Sequence, residues 1–262
     1  MHSLAQSLAG SIAIIVSSIA IALTILFLLH RFWPPNRRMA QNDMIGPSVG
    51  VIGTTYAVIV AFMLSGVWSD FQTAQVNAEQ EANCLVNIFR FADRLPKDSG
   101  SAVQQRAREY SHAMIDEEWP AMARESESAA GQRLINELWK MLISVQNQDS
   151  TQQLILDHTF SQLTAMTEHR RIRLLQSRKR LPAILWAVLL VGGIVTVAST
   201  CLFGVQNFRL HLAQVFAITF LVSLMLVAIA DVDRPFQGDI RVPPDGFRLA
   251  IETFDRWQLP AK

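Results

Sequence analysis

From Gly46 the chain runs 24 residues without a charged side chain, and the first charge is Asp70. A helix of that size is roughly 36 Å long, enough to cross a bilayer core of about 30 Å. The apolar run then passes into a helical pattern rather than a turn. Ala74, Ala78, Leu85, Phe89 and Ala92 fall on one face, and neither Gly nor Pro appears between Asp70 and Pro96. This spacing predicts one helix from Gly46 to Arg94 that spans a membrane and projects into water.

Three more apolar runs flank this stretch. Residues 8–30 are apolar all round, suited to face lipid, and Arg31, Trp33, Arg37 and Arg38 follow as interfacial anchors. Pro34-Pro35 ends that helix. No Lys or Arg precedes the run, and Gly10–Leu29 is long for a signal-peptide core, so a retained membrane helix is expected. Ala183–Val205 and Leu210–Ala230, separated by Gln206–Arg209, read as a tight antiparallel hairpin of spans three and four.

Between Gln72 and Pro182 there is no long apolar run and no period-2 alternation. Pro96–Gly100 reads as a turn, followed by a helix over 101–119 that Pro120 breaks or kinks. Ser126–Gly131 reads as a loop. Leu134, Leu138, Met141, Leu142 and Val145 mark an amphipathic helix. Ser150-x-x-Gln153 offers a capping box for a last helix with Leu156, Phe160, Leu163 and Thr167 on one stripe. The tail is turn-rich, with a short amphipathic helix over Gly246–Trp257. The expected fold class is an all-α membrane protein. It has four transmembrane helices and a large helical cytosolic insert between spans two and three. Its parts are 1–69 (first two spans), 70–182 (cytosolic helical region), 183–230 (transmembrane hairpin) and 231–262 (cytosolic tail).

Four spans put both termini on one side. With the termini cytoplasmic, Arg170, Arg171, Arg173, Arg178, Lys179, Arg180, Arg234, Arg241 and Arg248 lie inside. Arg31, Arg37, Arg38 and Arg209 lie outside, so the basic excess favours this orientation. The three arginines of the first loop pull the other way. The run from Arg170 to Arg180 reads as a topology determinant, or as a binder of anionic lipid heads. In the second span, Gly46, Gly50, Gly53, Thr54, Thr55, Ser65 and Gly66 are small or polar. Such residues allow close helix packing or line a pore, and composition leaves both open.

Half of the residues are hydrophobic, 17% are charged and the net charge is +1, which leaves no basic excess to track a nucleic acid. Cys84 and Cys201 sit far apart, with neither a disulfide framework nor zinc-ligand spacing. Glu118 has no partnering carboxylate, His or metal spacing, and His112, His158 and His169 form no HExxH motif. There is no phosphate loop and no nucleophile elbow. No enzyme activity, cofactor or metal is expected.

Several pieces of the chain belong together. They are Tyr56-Ala57, Ala61-Phe62, Trp68, Ala74, Glu81-Ala82, Arg90, Leu95-Pro96, Tyr110, Glu118-Trp119-Pro120 and the tail Asp233-Arg234-Pro235-Phe236 within DRPFQGDIRV. From Gly46 to Val242 this pattern resembles the bacterial bestrophin-like domain family, membrane proteins distantly similar to bestrophin ion channels. The resemblance implies a homopentamer with four spans per subunit, both termini and a helical insert in the cytosol, and a pore on the fivefold axis lined by the second span. It further implies a neck of three side-chain rings at i, i+4 and i+8, which fall on Thr54, Val58 and Phe62. Thr54 is polar where the family neck is apolar, and Met63–Val67 depart from the residues that follow the Phe in bacterial bestrophins.

No acidic calcium-binding cluster is evident. Asp231, Asp233 and Asp239 are expected to solvate a helix end or to pair with Arg234 or Arg241. Asp70, Glu79 and Glu81, further along the central helix, are candidates for a cytosolic vestibule, where a ring of carboxylates favours cations. A solvated helix face is the plainer reading of each. The expected function is an oligomeric ion channel, with inorganic ions as permeant species, in the lipid bilayer of a bacterial inner membrane. The alternative is a non-conducting membrane scaffold or sensor acting through its cytosolic helices.

Overall fold

The computed structural model describes residues 8–146 and 149–258, and among them every regular element is helical. In chain order these are α1 (Leu8–Phe32), α2 (Pro35–Met39), α3 (Asn42–Ala92) and α4 (Lys97–Ala113). A π-helical turn (Met114–Glu118) leads into α5 (Trp119–Ala123). Then come α6 (Ala129–Ser144), α7 (Ser150–Arg178), α8 (Ala183–Cys201), α9 (Phe208–Val232) and α10 (Asp245–Gln258). Helices α1, α3, α8 and α9 are long and apolar enough to cross a membrane. They mark the chain as an integral membrane protein.

The described residues form two compact units. One takes in residues 8–70, 180–234 and 238–240. Its centre is Ala22 and Leu26 of α1 against Cys201 of α8 and Val215 of α9, with Leu23, Leu29, Val197 and Phe208 packed around them. Along α9, His211, Val215, Thr219, Ser223 and Val227 are buried at every fourth position. Small residues in that row let the helices approach closely, the usual basis of helix association in lipid. Tyr56 of α3 lies against the glycine pair of α8. A Cβ at Gly192 would come within 2.6 Å of the Tyr56 ring, and one at Gly193 within 3.0 Å of its hydroxyl. The Tyr56 hydroxyl donates to Leu189 O at 3.1 Å.

The α8–α9 loop is held on α2 and the start of α3. Asn42 Nδ2 donates to Gly204 O at 2.8 Å and Gly204 N donates back to Asn42 Oδ1 at 3.0 Å. A Cβ at Gly204 would collide with the backbone of Arg38 and Met39, so only glycine fits this approach.

The other unit takes in the described residues of 71–179, 235–237 and 241–258. Its core is an apolar stripe of α3 (Ala74, Ala78, Leu85, Ile88, Phe89, Ala92) with Val103 and Ala107 of α4, Leu134 and Leu138 of α6, Leu163 of α7 and Phe254 of α10. Phe89 and Phe254 stack at 4.2 Å.

Local boundaries differ from the sequence reading for identifiable reasons. Lys97–Gly100 is the first turn of α4, not a turn between elements: Pro96 is extended at the N-cap, and its carbonyl accepts from Gly100 N at 2.8 Å. Pro120 does not end its helix. The π-helical turn before it, where Trp119 N donates to Met114 O, absorbs the ring without a break. The cap of α7 is Asp149, which accepts from Gln152 N at 2.7 Å, rather than a Ser150–Gln153 box. The buried row of α7 is Leu156, Thr159, Leu163, Met166, Arg170, Arg173 and Ser177. Its spacing of three and four leaves Phe160 and Thr167 at the margin.

Candidate functional site

Two faces of α3 behave differently in its membrane-crossing half. One face is packed: Tyr56 and Val60 are 7% exposed and Val67 is 4% exposed. The other is open. Val58 is 50% and Phe62 72% exposed, and Thr54 is exposed between them and Gly50. A Cβ built on Gly50, Gly53 or Gly66 meets nothing within 4 Å. Gly50, Gly53 and Gly66 therefore pack against no other helix among the described residues; a close helix contact forms instead at Gly192-Gly193, against Tyr56. The Thr54 hydroxyl donates to Gly50 O at 2.8 Å, so its proton is spent on the helix. Thr54, Val58 and Phe62 lie one above another along about 12 Å of the open face.

The three acidic candidates divide. Asp70 and Glu79 are exposed, and Glu79 accepts from Gln75 Nε2 at 3.1 Å. Glu81 is fully buried and faces no solvent. Its Oε2 accepts from Arg173 Nε at 2.6 Å, and its Oε1 accepts from Arg173 Nη2 at 2.9 Å and from the Tyr110 hydroxyl at 2.7 Å. It thus drops out of any carboxylate row along α3.

The partners of Glu81 form a charge network that the sequence reading missed. Arg173 Nη2 also donates to Glu118 Oε1 at 2.9 Å, and its guanidinium lies 4.6 Å from the centre of the Trp119 ring. Arg170 grips the same Glu118 with Nε at 3.0 Å and Nη2 at 2.9 Å, and gives Nη1 to Gln132 at 3.0 Å. Burial favours the neutral guanidinium of Arg173, but the carboxylates of Glu81 and Glu118 override it and raise its pKa above the usual arginine value. Burial, and then the charge of Glu81, push the Tyr110 phenol well up. Two cations balance two anions with most lone pairs and protons used, the condition under which buried ions are tolerated.

This network corrects one reading of the sequence. Arg170 and Arg173 are structural and do not belong to a basic run at a membrane surface. The charged partners of Glu118 are these two arginines. A signal was present: Glu81 sits three and four residues from Ala78 and Leu85 on the apolar stripe, and Arg170 and Arg173 continue the apolar row of α7. Arg38 is likewise fully buried rather than an interfacial anchor.

In the tail, Asp233 Oδ1 accepts from Leu181 N at 2.8 Å and Asp239 Oδ2 from Leu8 N at 2.9 Å. Both carboxylates thus accept from backbone amides of other segments. Among the described residues no group of three His, Cys, Asp or Glu could hold a metal.

The sequence profile of the Bestrophin-like domain matches residues 16–247. The chain belongs to the Bestrophin-like family. Two crystal structures share its fold. One is a membrane protein carrying a single substitution, 12% identical, with a TM-score of 0.64 over 94% of this chain and 98% of that one. The other is a variant of a bacterial bestrophin homologue from Klebsiella pneumoniae, 11% identical, with a TM-score of 0.63 over 95% of this chain and 99% of that one. No curated protein matches the chain by sequence. Over 95% of its length this Bestrophin-like chain thus shares the fold of a bacterial bestrophin homologue, at an identity where the likeness speaks for the fold alone.

Proposed function

We propose that this protein is an oligomeric ion channel whose pore is lined by α3. The observation that carries the reading is the open face of α3: a row of small and apolar side chains in a membrane-crossing helix whose opposite face buries Tyr56, Val60 and Val67. Copies arranged around an axis, five by analogy with bestrophins, bring Thr54, Val58 and Phe62 together as three rings. Apolar rings of this kind gate by dewetting, blocking ions without closing the path sterically. The Thr54 ring presents mainly its methyl and its lone pairs, since its proton is bonded within the helix. Asp70 and Glu79, exposed further along the same helix, supply carboxylate rings of a vestibule that favours cations. Membership of the Bestrophin-like family and the bacterial bestrophin fold support the reading.

The topology that goes with it has four spans, a helical insert between the second and third, and both termini in the cytoplasm of a bacterial cell, with the spans in the inner membrane. With Arg38, Arg170 and Arg173 removed from the basic count as buried, Arg171, Arg178, Lys179, Arg180, Arg234, Arg241 and Arg248 still outweigh Arg31, Arg37 and Arg209. The test is current through planar bilayers holding the purified full chain. Phe62→Ala is expected to raise conductance by widening and wetting the narrowest ring. Unchanged currents would refute the neck. A preparation that never conducts, with the Gly50–Phe62 row buried between copies, would establish the scaffold instead.

A further inference from the structure

The other buried arginine poses a separate question. Arg38, 0% exposed, lies on α2 and uses one nitrogen: Nη1 donates to Cys201 O at 2.9 Å, at the C-terminal end of α8. Its Nε and Nη2 are buried and have no hydrogen-bond partner among the described residues. These two N–H groups share one edge of the guanidinium, a fork shaped for two oxygens of a single oxyanion. The same chain shows what that edge takes when buried. Arg170 and Arg173 each present Nε and Nη2 to both oxygens of a carboxylate, at 2.6–3.0 Å. No carboxylate of the described residues pairs with Arg38.

One imidazole takes the neighbouring carbonyl of α8. His211, 1% exposed, has Nε2 at 3.1 Å from Thr200 O. A carbonyl only accepts, so Nε2 carries the proton in that contact. His211 Nδ1 is also buried with no hydrogen-bond partner among the described residues. The end carbonyls of α8 offset part of this positive charge, but neither reaches the Nε–Nη2 edge.

We propose that Arg38, bonded to the α8 end carbonyl next to the one that His211 takes, is the anchor of an oxyanion-binding site. Its ligand presents two oxygens to the Nε–Nη2 edge, supplied by a free inorganic oxyanion or by the phosphate of a lipid headgroup. The site is separate from the α3 row and does not depend on conduction.

The experiment uses the full chain, stripped of lipid in detergent, with thermal unfolding followed by tryptophan fluorescence. Sodium nitrate and sodium phosphate are each titrated against sodium chloride at constant ionic strength. A third titration adds phosphatidylglycerol against a phosphate-free glycolipid. A ligand of the native state raises the midpoint saturably. The expected result is a saturable rise with an oxyanion or with the phospholipid, the responding arm identifying the source. Arg38→Lys keeps the charge but not the fork, and should weaken the apparent affinity at least about tenfold. Should that variant not fold, His211→Gln, whose amide can still donate to Thr200, should show a weaker response than wild type. A midpoint that merely tracks salt, or a saturable response identical in wild type and variant, overturns the proposal.

Discussion

Glu81→Gln isolates the charge of one buried carboxylate with almost no change of shape. In the native chain the two oxygens of Glu81 accept three hydrogen bonds, two from Arg173 and one from Tyr110. With glutamine, the carbonyl can keep the Oε1 position, which serves Tyr110 and Arg173 Nη2. The amide nitrogen then stands at the Oε2 position, 2.6 Å from Arg173 Nε in the native geometry, where donor faces donor. Arg173 is left with Glu118, which Arg170 already holds by both oxygens. Breaking one side of a buried pair costs about 3–5 kcal/mol.

At roughly 2–4 °C per kcal/mol for a chain of this size, the thermal midpoint of the purified protein should fall by about 6–20 °C. The matched control is Glu81→Leu with Arg173→Met. It removes both charges of that pair but leaves Glu118 with Arg170, and should be less destabilised than Glu81→Gln because no cation is stranded. The reasoning fails if Glu81→Gln melts within about 2 °C of wild type, well below the smallest shift expected. It also fails if the double variant is the worse of the two.

Tyr110→Phe should cost about 1.5–3 kcal/mol at neutral pH through the lost bond to Glu81. The Tyr110 pKa is raised in the fold, so its stabilising contribution is complete below the unfolded tyrosine value of about 10 and falls as pH climbs through the folded value. The gap between wild type and variant should therefore narrow in midpoints measured from neutral to strongly alkaline pH, and a gap that widens would contradict the assignment. Gly192→Ala should destabilise the chain by about 1–3 kcal/mol, because the new methyl meets the Tyr56 ring. Gly53→Ala should leave the fold of the chain intact and alter only assembly or current, read by thermal melting beside subunit counting. Asp149→Ala should lose about 1 kcal/mol at the start of α7, visible as a lower midpoint.

The periodicity of apolar residues was enough to locate the long helices. A long uncharged run satisfies its own backbone in a bilayer as a helix, and the apolar row from Ala74 to Ala92 has no breaker, so α3 was legible as one continuous helix. The alignment of Thr54, Val58 and Phe62 on one face followed from helical spacing alone. What the face does not touch was not legible: that Gly50, Gly53 and Gly66 are open while Gly192 and Gly193 receive Tyr56 depends on how α8 is placed. Charged residues were misread for the same reason. Glu81, Glu118, Arg170 and Arg173 come from three helices far apart in sequence, and Arg38 meets the end of α8. A charge on a helix is solvated or buried according to what packs over it, and a buried one is tolerated only where an opposite charge arrives from elsewhere in the chain. Local pattern decides which segments become helices; the partners that make a buried charge stable are a property of the tertiary fold.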